Sequence, residues 1–479
     1  MDFVLSNTLT SEKERVFASD AKSLRFYCCG PTVYGPAHIG NFRTFVLQDV
    51  FRRVVELSGL DTVHVRNITD VDDKTIRESR ALNESLTGFT DRWRERFEAD
   101  CSRLGILPPH HAPSAVAHIQ QQIDLIQRLI EAGHAYQAED GSVYYRVSSF
   151  EPYGRLSGLD KAKAVKNADG RMQASDEYAK DDWADFALWK AWKEEDGPNQ
   201  WESLWGPGRP GWHIECSAMS MELLGESFDL HSGGVDLIFP HHENEIAQSE
   251  GATGKKFVRH WFHVAHLMVN GEKMSKSLGN LYTLDDLAEK GFQAAEVRFV
   301  LASGHYRKTL NFTFDSLNGA RKSLNRVKVV VEELLKATGL DALPDYEASR
   351  RLGSGSLGIF QPAWEALLDD LNTAESLGRF FGSLRTVEAA LKEPGIDVPT
   401  AEQWLNGIAF LLNAMGLFLP HEVEFDIPEE ITDLANERLE ARNEKDWGRS
   451  DSLRDELLSK GWQIKDAKEG YELTPVSGS

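Results

Sequence analysis

The sequence predicts an α/β protein built around a doubly wound parallel sheet. Leu24–Cys29 is a short apolar and aromatic run that ends at Gly30-Pro31, which is typical of a buried strand followed by a turn. Apolar residues at helical spacing follow over residues 41–58, and Thr62–Ile68 is a second strand-like run. Strand, turn, helix and strand within about 45 residues are the βαβ unit of a Rossmann-like sheet. Since such sheets bind ligands at the carboxyl ends of their strands, we expect binding chemistry just after Cys29.

Beyond this unit the composition changes along the chain. Residues 139–211 are polar and charged, and their prolines and glycines should break any regular element, so they are interpreted as a connective insertion in the catalytic domain. The last residues should form a small α+β tail, with a helix over 428–459 and an extended segment over 462–473. The predicted segments are 1–138 (first half of the catalytic domain), 139–211 (insertion), 212–262 (second half), 263–316 (stem-contact segment), 317–420 (helical bundle) and 421–479 (tail).

Length and composition exclude several classes of protein. The 479 residues include 53 Lys plus Arg against 75 Asp plus Glu, a net charge of −22 that argues against nonspecific nucleic-acid binding unless a local basic surface exists. No apolar run reaches the roughly 20 residues of a membrane span, and the first residues lack a secretory apolar segment, so we expect a cytoplasmic protein without a membrane partner. Four cysteines are too few for a disulfide framework and are instead core residues, metal ligands or catalytic groups.

The string His38-Ile-Gly40-Asn41 lies at the predicted turn between the first strand and its helix. Glycine there lets the backbone approach a nucleotide, the helix N-terminus favours phosphate, and a histidine can donate to developing negative charge. By itself the string is not specific, because an ordinary loop histidine before a helix-starting glycine has the same letters.

A second motif, Lys273-Met-Ser-Lys276-Ser, lies in a polar loop flanked by Asn270-Gly271 and Gly279-Asn280. Two lysines on a loop can close over a triphosphate and neutralise the charge that develops during attack at the α-phosphorus. A solvated basic turn would explain any two of these residues. The whole pentamer, however, is expected by chance on the order of once in several thousand chains of this length.

Together, in this order and on either side of an insertion, the two motifs resemble the HIGH and KMSKS motifs of class I aminoacyl-tRNA synthetases. The resemblance implies adenylation of an amino acid by ATP with Mg²⁺. It assigns ATP binding and catalysis to His38, Gly40, Asn41, Lys273 and Lys276. Asn41 stands where the family motif has histidine, and because an amide can hydrogen-bond but cannot carry charge, we expect a supporting role for it.

Cysteine, histidine and glutamate residues also occur where they could hold a metal ion. Cys29 ends the first predicted strand, and Cys216 lies far downstream. His241 and Glu245 follow Pro240 at a spacing of four, which places them on one side of a helix. Two cysteines, a histidine and a glutamate suit zinc. Buried cysteines beside a surface His–Glu pair would fit the spacing equally well.

Neighbouring residues of the same types are expected to serve other purposes. On a helix that starts at Pro240, His242 and Glu243 should point away from the His241–Glu245 side. Cys28 should face the opposite side of its strand from Cys29 and pack in the core, and Cys101 should also be a packing residue.

Longer strings narrow the resemblance to the cysteinyl-tRNA synthetase family. They are F-Y-C-C-G-P-T-V-Y, N-I-T-D-V-D-D-K, W-H-I-E-C-S-A-M, H-S-G-G-V-D and F-P-H-H-E-N-E-I-A-Q-S, and the likeness continues into the tail. The resemblance implies one zinc ion per chain on Cys29, Cys216, His241 and Glu245. The resemblance further implies that Cys29, Gly30, Thr69 and Trp212 lie near L-cysteine, and that Gly233, Gly234 and Asp236 lie near the adenosine. Without the family, Thr69 would be explained equally well as a strand-end threonine, Trp212 as a core tryptophan, and the segment 233–236 as a tight turn with a capping aspartate.

Zinc has a physical use in such a site. A hydrophobic pocket discriminates poorly between cysteine and serine, which differ by one atom. A zinc ion that binds the substrate thiolate rejects a hydroxyl strongly, because thiolate is the better ligand. No segment of the sequence is typical of an editing domain, and this selectivity makes one unnecessary.

The predicted tail helix carries a basic stripe at spacing i, i+4, i+7 and i+11, so its members should share one face. Interleaved acidic residues would make it an ordinary salt-bridged surface. The resemblance implies instead that the tail contacts the anticodon of tRNA(Cys), with Trp462 stacking on a base. Tyr471 stands near a position where family members often carry tryptophan. The residues of the stripe are Arg438, Arg442, Lys445 and Arg449.

We therefore expect an enzyme that activates L-cysteine with ATP and charges tRNA(Cys), and, as is common among bacterial members of the family, a monomer. One alternative is a relative that joins the same adenylate to an aminosugar, but such ligases lack the tail that this chain has through Tyr471. Another is a non-catalytic zinc-containing tRNA-binding paralogue. That alternative predicts loss of the ATP motifs, yet His38, Lys273 and Lys276 are all present.

Overall fold

The computed structural model describes residues 3–158, 185–355, 357–393, 395–420, 428–466 and 470–475. Within these ranges the strands are β1 Val4–Asn7, β2 Glu12–Arg15, β3 Ser23–Cys28, β4 Asp61–Arg66, β5 Ala135–Gln137, β6 Val143–Tyr145, β7 Phe186–Ala191, β8 Gly208–Pro210, β9 Phe228–Gly234, β10 Val258–Val264, β11 Leu267–Val269, β12 Glu272–Lys273, β13 Leu310–Phe312, β14 Trp462–Asp466 and β15 Tyr471–Pro475. The helices are α1 Ile39–Leu57, α2 Asp73–Ala81, α3 Leu86–Arg103, α4 Ile119–Glu131, α5 Trp212–Leu224, α6 Glu243–Thr253, α7 Leu284–Glu289, α8 Ala294–Ala302, α9 Phe314–Thr338, α10 Tyr346–Leu352, α11 Gln361–Leu368, α12 Thr373–Leu391, α13 Val398–Met415, α14 Glu429–Asn443 and α15 Trp447–Ser459.

The predicted βαβ unit forms from β3, α1 and β4, and each element lies within two residues of its predicted bounds. β3 pairs in parallel with β4 on one side and with β9 on the other, and β10 pairs in parallel with β9. The strand order is therefore β10–β9–β3–β4. Because the strands that follow β3 in the chain lie on both sides of it, the switch point of the sheet falls between β3 and β9, and the predicted fold class is confirmed.

Successive residues of β3 face opposite sides of this sheet. Phe26 and Cys28 pack with α1, α9 and α13, whereas Tyr27 and Cys29 pack with α4, α5 and α6. The packing role of Cys28 is confirmed, and burial raises the pKa of its thiol. Cys101 is also a packing residue, buried in a third apolar cluster with α1, and burial raises the pKa of its thiol to about 11. Since apolar elements cover both faces, β3 needs no polar alternation.

The insertion contains more regular structure than its composition predicted. β5, β6, β7 and β8 form an antiparallel sheet in that order. The prediction that prolines and glycines break every element here is wrong, because Gly208–Pro210 is the strand β8. β8 lies at the sheet edge, where a proline removes no ladder hydrogen bond. Residues 159–184 of the predicted insertion lie outside the described residues, and the predicted domain boundaries stay predictions.

Helices α9 to α13 form the predicted helical bundle, and their apolar residues share one core with α1. A buried polar group also joins the two parts: Arg298 of α8 donates to Asp49 of α1 and to the carbonyl of Met415 in α13. Arg53 donates to the same carboxylate at 2.7 Å. Burial opposes ionisation, but Arg53 and Arg298 lower the pKa of Asp49 to about 2. The middle of α1 is thereby held in fixed relation to the bundle.

The tail differs from its prediction. The single helix expected over 428–459 is two helices, α14 and α15, because the chain reverses at Lys445, whose φ is +60°. The side chain of Asp446 then caps the start of α15 by accepting from the N–H of Arg449 at 3.1 Å. β14 and β15 form an antiparallel hairpin beside the helices. Residues 421–427 lie outside the described part of the chain.

Among the helices that the structure describes, none is both long and apolar enough to cross a membrane.

Candidate active site

Two cysteines, a histidine and a glutamate meet at the carboxyl end of β3. Cys29 directly follows β3, Cys216 lies in α5, His241 lies in the wide turn Ile238–His242, and Glu245 lies in α6. All four are buried, and their ligand atoms lie within 4.8 Å of one another. The structure thus brings together the four residues that the sequence placed in three separate segments.

The distances between these donors fit a tetrahedral ion. The sulfurs of Cys29 and Cys216 are 3.9 Å apart, and Cys29 Sγ lies 3.8 Å from Glu245 Oε1. His241 Nε2 lies 3.1 Å from the same oxygen. A tetrahedron with zinc–sulfur bonds of about 2.3 Å and zinc–nitrogen or –oxygen bonds of about 2.0 Å has donor separations of roughly 3.3 to 3.8 Å. The donor set and its spacing therefore suit zinc.

Two of the four donors, Cys216 and Glu245, are held in the form that binds metal. A hydrogen bond from the Cys29 thiol lowers the pKa of the Cys216 thiol to about 6. Burial opposes ionisation of Glu245, but the charges and hydrogen bonds of His231 and His241 lower the pKa of its carboxyl to about 2. Thiolate and carboxylate are the species that coordinate a metal ion. Burial raises the pKa of the Cys29 thiol. Burial also opposes charging of His241, but Glu245 and Cys216 raise the pKa of its imidazole to about 10. Cys29 and His241 therefore lose a proton when a metal binds.

The expectation that His242 points away from the cluster is wrong. Its Nε2 lies 3.3 Å from Cys29 Sγ, and its Nδ1 lies 2.7 Å from Nε2 of His263. The reason is the backbone before α6: Phe239 is extended within a wide turn, and α6 begins at Glu243 instead of at Pro240. The angular spacing of a regular α-helix therefore does not apply to the two histidines.

His231 is a second residue that the sequence interpretation missed, although it lies within the quoted string H-S-G-G-V-D. Its Nε2 donates to Glu245 Oε2 at 2.9 Å, and its ring stacks on Trp261 at 4.7 Å. The hydrogen bond fixes the carboxylate whose other oxygen faces the cluster. A second set of four donor atoms also lies within 4.8 Å of one another, in Cys29, His231, His242 and Glu245. This second set contains only one cysteine.

A chain of hydrogen bonds links the residues predicted to lie beside the amino acid. The N–H of Gly30 donates to Asn67 Oδ1 at 2.8 Å, Asn67 donates to Thr69 Oγ1, and Thr69 donates to Glu215 at 2.9 Å. A Cβ at position 30 would overlap the carbonyl oxygen of Asn67, so only glycine fits there. Burial raises the pKa of the Glu215 carboxyl. Gly30 and Thr69 are thereby fixed next to Cys29.

Trp212 begins α5 and lies over the Cys29–Cys216–His241–Glu245 group, called the metal cluster below because of the ion it is proposed to hold. Its ring stacks on His241 with centroids 4.5 Å apart, yet 38% of the residue remains exposed. His213 Nδ1 lies 3.0 Å from His241 Nδ1 behind it. Trp212 is therefore partly exposed directly beside the cluster, where the sequence predicted contact with the amino acid.

The turn His38–Asn41 is the N-terminus of α1. Nδ1 of His38 accepts from the N–H of Asn41 at 3.3 Å, and Asn41 Oδ1 accepts from the N–H of His38 at 3.1 Å. This reciprocal capping box is a structural reason for an amide at position 41. Burial lowers the pKa of the His38 imidazole, which is therefore neutral at pH 7.

The second motif lies against this turn. A Cβ at Gly40 would lie 2.9 Å from Sδ of Met274, so the two motifs are in direct contact. Lys273 is exposed at the end of β12. Lys276 begins the short helical turn Lys276–Leu278, and its side chain lies outside the described atoms.

The glycines at the end of β9 lie between the two motifs and the metal cluster. A Cβ at Gly233 would lie 2.8 Å from the His242 ring, and one at Gly234 would lie 3.9 Å from Thr44 Oγ1 on α1. Asp236 follows in a short helical turn. Only glycine fits at either position without displacing a neighbour, and both glycines lie at the switch point of the sheet, where the adenosine was expected.

The basic residues of the tail do not share one helical face, which corrects the sequence interpretation. Lys445 lies in the turn between α14 and α15, and Arg449 lies on α15. Arg438 is buried and donates to Asp466 at 2.8 Å, and Arg442 pairs with the same carboxylate at 3.2 Å. For Arg438 and Arg442, these ion pairs agree with the alternative that the basic residues of the tail form an ordinary salt-bridged surface. Arg449 pairs with Glu437, and Trp462 begins β14.

The parallel sheet and the two adjoining motifs at its switch point define a class I aminoacyl-tRNA synthetase. Residues 16–322 match the family model described as tRNA synthetases class I (C) catalytic domain. The solved structure of Mycobacterium tuberculosis methionyl-tRNA synthetase in complex with methionyl-adenylate has the same fold, with a TM-score of 0.57 and 14% identity over 83% of this chain and 90% of that chain.

Curated relatives identify the particular family. The chain is 49% identical to the cysteine–tRNA ligase of Opitutus terrae over 94% of both chains. It is 43% identical to that of Chlamydia muridarum over 99% of this chain and 100% of the relative. The chain belongs to the cysteine–tRNA ligase family, and it is an enzyme of the aminoacyl-tRNA synthetase class.

Proposed function

We propose that this enzyme activates L-cysteine and joins it to the 3′ end of tRNA(Cys). In the first step a carboxylate oxygen of cysteine attacks the α-phosphorus of ATP, which binds with Mg²⁺, and pyrophosphate leaves. In the second step a terminal ribose hydroxyl attacks the carbonyl carbon of the adenylate and AMP leaves. The observation that carries this proposal is the Cys–Cys–His–Glu cluster beside the two ATP motifs at one switch point.

Cys29, Cys216, His241 and Glu245 would hold a zinc ion. When bound, the ion supplies selection of a thiol over a hydroxyl, because thiolate is the better zinc ligand. The protein supplies the rest: His231 holds the Glu245 carboxylate, and the glycine at position 30 lets the backbone next to Cys29 pack against the carbonyl of Asn67.

His38 is proposed to donate a proton in a hydrogen bond to ATP. Its imidazole is neutral, since burial lowers its pKa, and its Nδ1 already accepts from Asn41. The proton of the neutral ring is therefore on Nε2, which makes that atom a donor to a phosphate oxygen. Lys273 and Lys276 are proposed to neutralise charge on the triphosphate from the other side.

The tail is proposed to contact the anticodon. Arg442, Lys445 and Arg449 are accessible there, and Trp462 is proposed to stack on a base. Arg438 is nearly buried in its pair with Asp466, so we propose that it orders the tail and does not contact RNA by itself.

The test is cysteine-dependent exchange between ATP and labelled pyrophosphate, with and without a zinc chelator, followed by charging of total tRNA with labelled cysteine. Exchange that the chelator abolishes, together with charging, is expected. Exchange without charging would favour the aminosugar ligase, and no exchange would favour a non-catalytic tRNA-binding protein.

A further inference from the structure

The loop Lys273–Ser277 is fastened at both of its ends. It begins at the hairpin of β11 and β12, whose turn residues Asn270 and Gly271 have φ of 52° and 81°, as a type I′ turn requires. The N–H of Gly271 donates to Oδ1 of Asn311 at 2.7 Å. After the loop, Gly279 has a φ of 62°, and at this residue the chain turns back toward the loop.

Asn280 lies at the end of that return and bonds to the loop backbone twice. Its Oδ1 accepts from the N–H of Ser275 at 2.8 Å, and its Nδ2 donates to the carbonyl of Lys273 at 3.3 Å. Its side chain is nearly buried, with 8% of the residue exposed, although Ser277 and Leu278 beside it are exposed. One buried amide therefore fixes the backbone on both sides of position 274.

Position 274 is where the loop meets the first ATP motif. Met274 Sδ lies 2.9 Å from the point where a Cβ at Gly40 would be. Two residues after Asn280, the carbonyl of Tyr282 accepts from the N–H of Ile39, the first residue of α1, at 2.9 Å. Asn280 thus lies between the two contacts that hold the loop against the start of α1.

We propose that Asn280 is a positioning residue for adenylate formation, acting by holding Lys273–Ser277 in the conformation that meets the turn at His38. The inference rests on the proposed function and deepens it, since Asn280 belongs to neither motif and touches neither the metal cluster nor the residues beside the amino acid. Charged groups stabilise a transition state most when they are in place before its charge develops. A loop that must be ordered at each turnover loses part of that stabilisation.

The effect should fall on the rate of adenylation and not on recognition of cysteine. Asn280→Ala removes both hydrogen bonds, so we expect kcat for cysteine-dependent pyrophosphate exchange to fall about tenfold. The KM for cysteine, the zinc content and the single-turnover transfer of cysteine from preformed adenylate to tRNA should remain those of the wild type. Asn199→Ala is the matched control, because it removes one part-buried amide hydrogen bond, from Asn199 Nδ2 to the carbonyl of Asp196 at 2.9 Å, outside the hairpin and the loop, and its exchange rate should be unchanged.

Asn280→Asp keeps the oxygen that accepts from Ser275 and loses the donor to Lys273, so its rate should lie between those of the wild type and Asn280→Ala. Unchanged exchange in Asn280→Ala would overturn the proposal. An equal fall in exchange and in transfer, or a raised KM for cysteine, would also overturn it, because either indicates a general structural role. In those cases the wild type remains active, whereas an inactive wild type would mean that the proposed function itself fails.

Discussion

Two buried carboxylates near the central sheet have a similar pKa for different reasons. Glu245 lies in α6 on one side of the sheet and Asp49 in α1 on the other, and each has its pKa lowered to about 2 against the effect of burial. The partners of Glu245 are histidines, which can lose their charge, whereas those of Asp49 are arginines, which cannot.

The difference distinguishes the proposed metal site at Glu245 from a structural ion-pair network at Asp49, called here the structural joint. Around Asp49 the arginines also donate to backbone carbonyls, as Arg298 does to those of Leu104 and Met415, so the three charged groups, which sum to +1, find their partners within the protein. Around Glu245, burial opposes the charging of His241, but Glu245 and Cys216 raise the pKa of its imidazole to about 10, so protons bound within the cluster compensate the negative charge. A metal cation can replace those protons, and it has no place at Asp49.

The largest expected effect is at the metal cluster. Cys216→Ser removes a soft ligand, and we expect zinc to be lost from the purified protein and exchange with cysteine to fall more than about a hundredfold. Metal analysis together with the exchange assay measures this. Cys101→Ser, a buried cysteine outside the cluster, is the control and should keep its zinc. Full zinc and full selectivity over serine in Cys216→Ser would refute the ligand assignment.

At the structural joint, Asp49→Asn leaves two buried arginines without their carboxylate. We expect the free energy of unfolding at pH 7 to fall by about 3 kcal/mol, measured by urea denaturation, with zinc content unchanged. The exposed pair between Arg350 and Asp61 is the control, because Arg350→Ala should cost less than about 1 kcal/mol. Loss of zinc in Asp49→Asn would contradict the separation of the two regions.

The same carboxylate predicts a pH dependence. The folded pKa of Asp49, about 2, lies below its unfolded value of about 3.9, so its contribution to stability is fully present above pH 4. That contribution, about 2 kcal/mol, is lost as the pH falls from 4 toward 2. Unfolding free energies of the wild type and of the Asp49→Asn variant should therefore converge over this range, and parallel curves would show that Asp49 is not ionised at neutral pH.

A smaller effect is expected behind the metal cluster. His231→Leu removes the N–H that holds Glu245 Oε2, and we expect zinc affinity to fall about tenfold in competition with a chelating dye. The melting temperature of the metal-free protein should change little by comparison. Affinity equal to that of the wild type would show that Glu245 needs no support from His231.

The sequence predicted the local elements of the catalytic core well. β3, α1 and β4 lie within two residues of their predicted bounds, because apolar periodicity and the turn residues after Cys29 are local signals. Prediction failed where neighbours decide the outcome. His242 faces the cluster because the turn before α6 is wide. β8 is a strand in spite of its proline because it is the edge strand of its sheet.

The tail shows the same limit on a larger scale. A basic stripe at helical spacing predicted one face of one helix, but the chain reverses at Lys445 and β14 offers Asp466 to Arg438 and Arg442. Helical spacing describes a face only while the helix continues, and composition alone did not mark the end of this one.

The sequence by itself determined the class of fold, the order of the two ATP motifs and the types of residue available to bind metal, since these are written in local patterns and in residue chemistry. Only the tertiary structure decided which of those residues meet. Cys29 and Cys216 are 187 residues apart in the chain, yet their sulfurs are 3.9 Å apart. Asn280 follows the loop in the chain, and its side chain bonds to the loop backbone at Ser275. Such meetings depend on how helices pack on both faces of the sheet, and that packing is a property of the whole chain.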